Sequence, residues 1–266
     1  MHPIERLRYV VRSSGAPQDL LVQETAASLA TFQGDTNSLV TACRRVVARQ
    51  LTSGPLWWLC SRVLTDPDPL EAARSAVEEM GADPTAQELA HALPDNASVL
   101  VVGWPDVIAR ALPRRGDLEV LVVDTLEEGG RFVDVLDTRD VNSVYVRLAG
   151  LGAAATECDL VVLEASAVGP EEFLAVAGSR AAAAVATLAG VPVWLVAGVG
   201  RLLPARVWGS LIGRLDQADE PWDCDDDVVP LDLVDRVLGP RGLEEPVAAL
   251  GRVDCPVAPE LFKDTA

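Results

Sequence analysis

Glu164, Ala165 and Ser166 close the buried apolar run that starts after Cys158 and open a polar turn. In an open α/β sheet a reactive group sits at the carboxyl end of such a strand. Trp104, just past an earlier run, falls at the same kind of edge. The loop Arg12-Ser13-Ser14-Gly15-Ala16-Pro17 sets an arginine, two hydroxyls and free backbone N–H groups ahead of a helix, geometry that suits a phosphate and equally suits a plain capped loop.

Other motifs carry less. Gly150-Leu151-Gly152-Ala153-Ala154-Ala155 has the G-x-G-x-x-A pattern of a dinucleotide turn. It follows the third strand rather than the first and leaves under two helical turns before the next strand, so a tight connection is expected. Asp223, Asp225, Asp226 and Asp227 lack the glycine and the closing glutamate of a calcium loop and read as a solvated acidic run. There is no Walker loop and no G-x-S-x-G elbow, and neither His2 nor His91 lies near a plausible nucleophile.

These residues need elements to hold them. Up to about residue 92, Ile4, Leu7, Val10 and Val11, then Leu20, Leu21, Ala26 and Leu29, then Leu39, Val46 and Val47 recur at helical spacing, broken at 13–17, 34–35 and 66–69. Leu56-Trp57-Trp58-Leu59-Cys60 reads as an interdomain core anchor. After Pro94-Asp95-Asn96, β-branched runs at 98–102, 118–123, 143–146, 160–163 and 191–196 alternate with helical stretches at 105–112, 127–136, 151–157 and 170–188. Such runs predict parallel strands buried on both faces. The fold class is therefore α/β: a helical domain over 1–92, then a Rossmann-like parallel-sheet domain over 93–266.

The chain has 266 residues, 49% of them hydrophobic, enough for a sizeable core. Its net charge of −18 opposes binding to a phosphate backbone, so no nucleic-acid partner is expected. Cys43, Cys60, Cys158, Cys224 and Cys255 are odd in number and scattered, which supports neither a disulfide framework nor a zinc site. No segment approaches the roughly 18 apolar residues of a membrane span, and the N-terminus has no signal-type run. A cytoplasmic protein without membrane, metal or cofactor is the expectation.

Taken together, the chain resembles the family of the translation initiation factor 2B alpha, beta and delta subunits, methylthioribose-1-phosphate isomerase and ribose-1,5-bisphosphate isomerase. Asp159 to Val168 follows the family's a-D-x-v-l-v-G-a-D/E-x-v segment, and Gly178-Ser179 through Gly190-Val191-Pro192-Val193-Trp194 its later G-T, helix and g-v-P-v-y-v segment. Val99 to Trp104 is similar to its i-L-T-H-C strand, Val228 to Val234 to its v-x-P-x-x-l-I tail, and Arg12 to Pro17 to its R-G-A-P loop. The resemblance implies a helical domain joined to a Rossmann-like domain, dimerisation through the latter, and a binding site for a phosphorylated small molecule formed by Arg12, Ser13, Gly15, Gly103, Trp104, Glu164 and Ser166.

Where the isomerases carry a catalytic cysteine and aspartate, this chain has Trp104 and Ser166, and Ala175-Val176 replace the family's N-K pair. An indole has no acid–base function near neutral pH, and serine without a partner base is a poor one. A homodimeric regulatory or metabolite-binding protein without isomerase activity is the expectation, the metabolite being a sugar phosphate or nucleotide. The alternative is a sugar-phosphate isomerase with a relocated catalytic pair that uses Glu164 as base.

Overall fold

The computed structural model describes residues 17–32, 34–215 and 220–263. Among the described residues four helices lead: α1, Gln18–Leu29; α2, Thr36–Arg49; α3, Gly54–Thr65; and α4, Pro69–Gly81. Capping sets their starts. Asp35 accepts from the Ser38 N–H at 3.1 Å ahead of α2, and Asp68 accepts from the Leu70 and Glu71 N–H groups ahead of α4, satisfying donors that a helix start leaves without partners.

In α3 every residue from Gly54 to Ser61 is buried. Its Leu56, Trp57, Trp58, Leu59 and Cys60 share one apolar cluster with Ala167, Leu174, Leu203 and Val207 from the second half, the anchoring role expected for this run. The Gly54 N–H donates to the Ser166 carbonyl at 3.0 Å, and a Cβ on Gly54 would stand 2.8 Å from that oxygen, so glycine permits the approach. A helix over residues 54–65 thus buttresses the turn that follows Glu164.

Next come α5, Thr85–Ala92; β1, Ser98–Val102; α6, Asp106–Ala111; β2, Glu119–Asp124; α7, Gly129–Asp137; β3, Asn142–Arg147; α8, Leu151–Glu157; and β4, Leu160–Glu164. The chain continues with β5, Ala167–Val168; β6, Glu172–Val176; α9, Ser179–Ala189; β7, Val193–Val196; α10, Ala205–Leu215; β8, Asp226–Pro230; β9, Arg236–Gly239; β10, Gly242–Glu244; and α11, Pro246–Leu250. Seven strands form one sheet in the order β10-β9-β7-β4-β1-β2-β3, parallel except that β10 runs antiparallel to β9. Strands β1 to β3 build outward on one side and β4, β7 and β9 on the other. The winding therefore reverses between β1 and β4.

Alternation sorts the core into layers, because successive side chains on a strand face opposite ways. Val99 and Val101 join Leu89, Ile108 and Phe132 of α5, α6 and α7 on one face. Leu100 and Val102 join Ala155, Ala182 and Ala186 of α8 and α9 on the other.

Two expectations give way. Residues 143–146 lie in β3, at the sheet edge, where Val144 and Tyr145 are exposed, because among the described residues no strand pairs beyond β3. The helix expected over 170–188 is confined to Ser179–Ala189. Its first part is instead β6, which pairs antiparallel with β5 and β8 in a second, three-stranded sheet. Gly169 and Pro170 break the helix there, and backbone pairing of Phe173 with Val229 and Leu174 with Val228 overrides the helical propensity of Glu-Glu-Phe-Leu-Ala.

Candidate functional site

Reversal of winding between β1 and β4 opens a crevice at their carboxyl ends, the place where such sheets bind ligands. A cleft of about 560 Å³ lies there, walled by Trp104, Arg131, Glu164, Ser166, Arg201 and Asp226 among others. The second sheet and the start of α1 close its sides, through Val176 of β6 and Gln18.

From β1 the chain turns at Gly103, whose φ of +65° and N–H bond to the Val123 carbonyl at 2.9 Å define the bend. A Cβ at Gly103 would stand 3.2 Å from Thr125 Oγ1, so glycine suits both the conformation and the space. The turn presents Trp104, which is 38% exposed and stacks on Phe132 with ring centroids 5.5 Å apart. The Arg131 guanidinium carbon lies 6.0 Å from the Trp104 ring centroid.

From β4 comes Glu164. One carboxylate oxygen accepts from the Val107 and Ile108 N–H groups of α6 at 2.8 and 3.0 Å, and the other pairs with an Arg201 Nη at 2.8 Å. Both side chains are almost buried, 8% and 5% exposed, and Arg201 also donates to the Ala165 carbonyl. Burial pushes the Glu164 carboxyl above its ordinary range, with the Arg201 charge opposing that shift and Asp106 adding to it. Glu164 thus caps α6 and neutralises Arg201.

Ser166 Oγ donates to the Leu174 carbonyl at 3.3 Å, tying the turn to β6. The next helix, α9, begins after Gly178 at φ +95°, and the Gly178 and Arg180 N–H groups both donate to one Asp227 oxygen at 2.9 Å. Asp226, the preceding residue on β8, lines the cleft instead. Burial, opposed by the Thr52 hydroxyl and reinforced by the neighbouring Asp225 and Asp227, raises its carboxyl to about 6. Ser179, 1% exposed, also lines the cleft.

Trp104, Glu164 and Ser166 are therefore brought together, while Gly103 forms the turn beside them. Arg12, Ser13 and Gly15 lie outside the described residues. The acidic run is not simply solvated, because β8 turns Asp226 into the cleft and Asp227 onto a helix start. Gly150 and Gly152 adopt ordinary helical geometry beside the edge strand, away from the crevice. Arg201 and Arg131 were not singled out in the sequence, Ser179 entered only through the Gly178-Ser179 segment, and Asp226 only as part of the acidic run. The available signal for Arg201 was a lone arginine after the Gly198-Val199-Gly200 turn that ends a buried strand.

Among the described residues no group of three or more His, Cys, Asp or Glu side chains is arranged to hold a metal ion, and no helix is long and apolar enough to cross a membrane. Chemically, the cleft offers an aromatic surface at Trp104 and a carboxyl at Asp226 that burial raises to about 6.

The architecture is a doubly wound α/β sheet preceded by helices, with its cleft at the switch point. No protein-family model and no curated protein matches the sequence. Solved structures do match in fold. The Pyrococcus horikoshii OT3 translation initiation factor eIF-2B superposes with a TM-score of 0.77 at 13% identity, covering 93% of this chain and 98% of that one. A chain of the tetrameric eIF2B-beta2-delta2 complex from C. thermophilum gives 0.74 at 17% identity, covering 94% and 92%. The delta subunit of eIF-2B from A. fulgidus gives 0.62 at 14% identity, covering 94% and 89%. The chain has the fold of the eIF2B subunits.

Proposed function

We propose that this chain is an initiation factor 2B-like protein without aldose–ketose isomerase activity, a homodimeric binding or regulatory protein that holds a small molecule in the switch-point cleft. The observation that carries the reading is the pair Trp104 and Ser166. They stand at the carboxyl ends of β1 and β4, where proton-transferring groups would be needed, and neither can exchange a proton with a sugar near neutral pH. Glu164 does not replace them, because both its oxygens are engaged by Arg201 and the start of α6. Purified protein is expected to show no turnover of ribose-1,5-bisphosphate or methylthioribose-1-phosphate, and robust isomerisation of either would overturn the reading. The open edge at β3, with exposed Val144, Tyr145 and Leu148, offers a surface for a second copy. Light scattering should return twice the chain mass.

One observation favours the alternative of an isomerase with a relocated catalytic pair. Asp226, at about 6, has the acidity of an effective general acid–base group and lines the same cleft. If turnover is found, Asp226→Asn should abolish it under this alternative.

A further inference from the structure

A sheet edge presents N–H and C=O groups without partners, and soluble proteins blunt such edges with short strands, charge or proline. Among the described residues, three of the four sheet edges are blunted in that way. β10 has three residues and ends in Glu244, β5 has two, and β8 carries Asp226, Asp227 and Pro230. β3 is the exception. It runs for six residues, Asn142-Ser143-Val144-Tyr145-Val146-Arg147, with no proline, lysine or acid, and its single charge stands at the last position.

The side chains along this edge are apolar and in solvent. Val144, Tyr145 and, just beyond the strand, Leu148 are all exposed. Beside β3, α8 exposes Gly152, Ala153 and Thr156, small groups that let another backbone come close.

The strand's own sequence identifies the partner. Residues facing each other across an antiparallel pair point to the same side of the sheet, so two copies related by a two-fold axis set one residue opposite itself. At the middle of β3 that residue is Val144 or Tyr145. An axis at Val144 places Arg147 opposite Val141, and an axis at Tyr145 places it opposite Ser143. In neither register does Arg147 face its own copy, and no Asp or Glu falls between Asp140 and Glu157 to repel a second chain of net charge −18.

We propose that β3 pairs antiparallel with β3 of a second copy, so that the two seven-stranded sheets run on as one across the dimer. This inference rests on the homodimeric reading given above and names the strand and the pairing that build the dimer.

The test is sedimentation equilibrium of the full chain, with hydrogen exchange read at protein concentrations above and below the dissociation constant. A dimer is expected, and the outward amides of residues 142–147 should exchange about tenfold faster or more once it is diluted apart. Val144→Lys sets a cation on the edge, where it meets its own copy or lies next to it, and should weaken the dimer about tenfold or more. Val144 is exposed, so the variant leaves the core untouched, and Val247→Lys, at an exposed position of α11, should leave the dimer unchanged. A dimer that Val144→Lys leaves intact, with β3 amides that ignore concentration, overturns the pairing and leaves a homodimer standing through another surface. A monomer whose outward β3 amides exchange fast overturns the pairing and the homodimeric reading together. A monomer in which those amides are slow does the same and puts another segment of the chain on the edge.

Discussion

Two clefts open along the carboxyl side of the same sheet, and they are built differently. At the switch point, side chains make the wall: a buried Glu164–Arg201 pair, the half-buried Asp226 and the Trp104 ring. The second cleft, about 400 Å³, lies beyond β7, with Gly198, Gly200 and Gly239 among its lining residues. There Asp83 fills the space that a Gly198 side chain would take and accepts from the Val199 N–H at 3.0 Å. Its ion pairs stand at the rim in solvent, Arg252 with Glu244 and Arg62 with Glu79. Burial raises the Asp254 carboxyl there too, with Arg62 and a hydrogen bond from Trp58 opposing the shift. Perturbed carboxyls mark a candidate site when they converge with other ligand-facing groups, and that convergence occurs at the switch point.

The comparison breaks most directly at Glu164. Glu164→Ala would strand a buried guanidinium and two α6 N–H groups, so denaturant unfolding should show a loss of about 3–5 kcal/mol. A loss below about 1 kcal/mol would put this pair in the same class as the rim pairs of the second cleft.

Asp226 sharpens the contrast through pH. In the folded chain its carboxyl keeps a proton up to about 6, whereas the unfolded group releases it near 3.8. Folded protein therefore binds more protons than unfolded protein between those values, so the group's contribution to stability falls as pH rises through the window and stays low above it. The neighbouring Asp225 and Asp227 charges add to the shift, and the Thr52 hydroxyl opposes it. Asp226→Asn should thus stabilise the chain by about 1–3 kcal/mol at pH 8, with most of the gain gone near pH 4, as followed by thermal melts. An equal gain at both values would show that the carboxyl is not perturbed.

The smallest effect belongs to the second cleft. Glu244→Ala, which removes the partner of the partly exposed Arg252, should cost less than about 1 kcal/mol, and that cost should shrink further in high salt. A larger, salt-insensitive loss would mean the second cleft holds a pair as deeply committed as the first.

Much of this architecture was legible before folding was considered. The apolar runs ending at Val102 and Leu163 marked β1 and β4 almost to the residue, because strands covered by helices on both sides need unbroken apolar sequence. Trp104 and Ser166 could be placed near the carboxyl ends of those strands because they lie two and three residues past the runs. Residues 170–176 were misread as helix because the partner strand lies more than fifty residues downstream at β8, and local propensity carries no record of so distant a pairing. Asp226 and Asp227 were misread for the same reason.

What the sequence by itself determined is the alternation of apolar strands and helices that makes a parallel α/β sheet, and the position of Trp104 and Ser166 just past two of its strands. These follow from periodicity and residue type, which are local. Tertiary structure alone decided that Glu164 faces Arg201 and that Asp227 fills one helix start while Asp226 turns into the cleft. Each of those depends on which distant elements pack together, and in a buried site the neighbour, more than the residue type, sets whether a carboxylate is a cap, a counter-ion or a ligand.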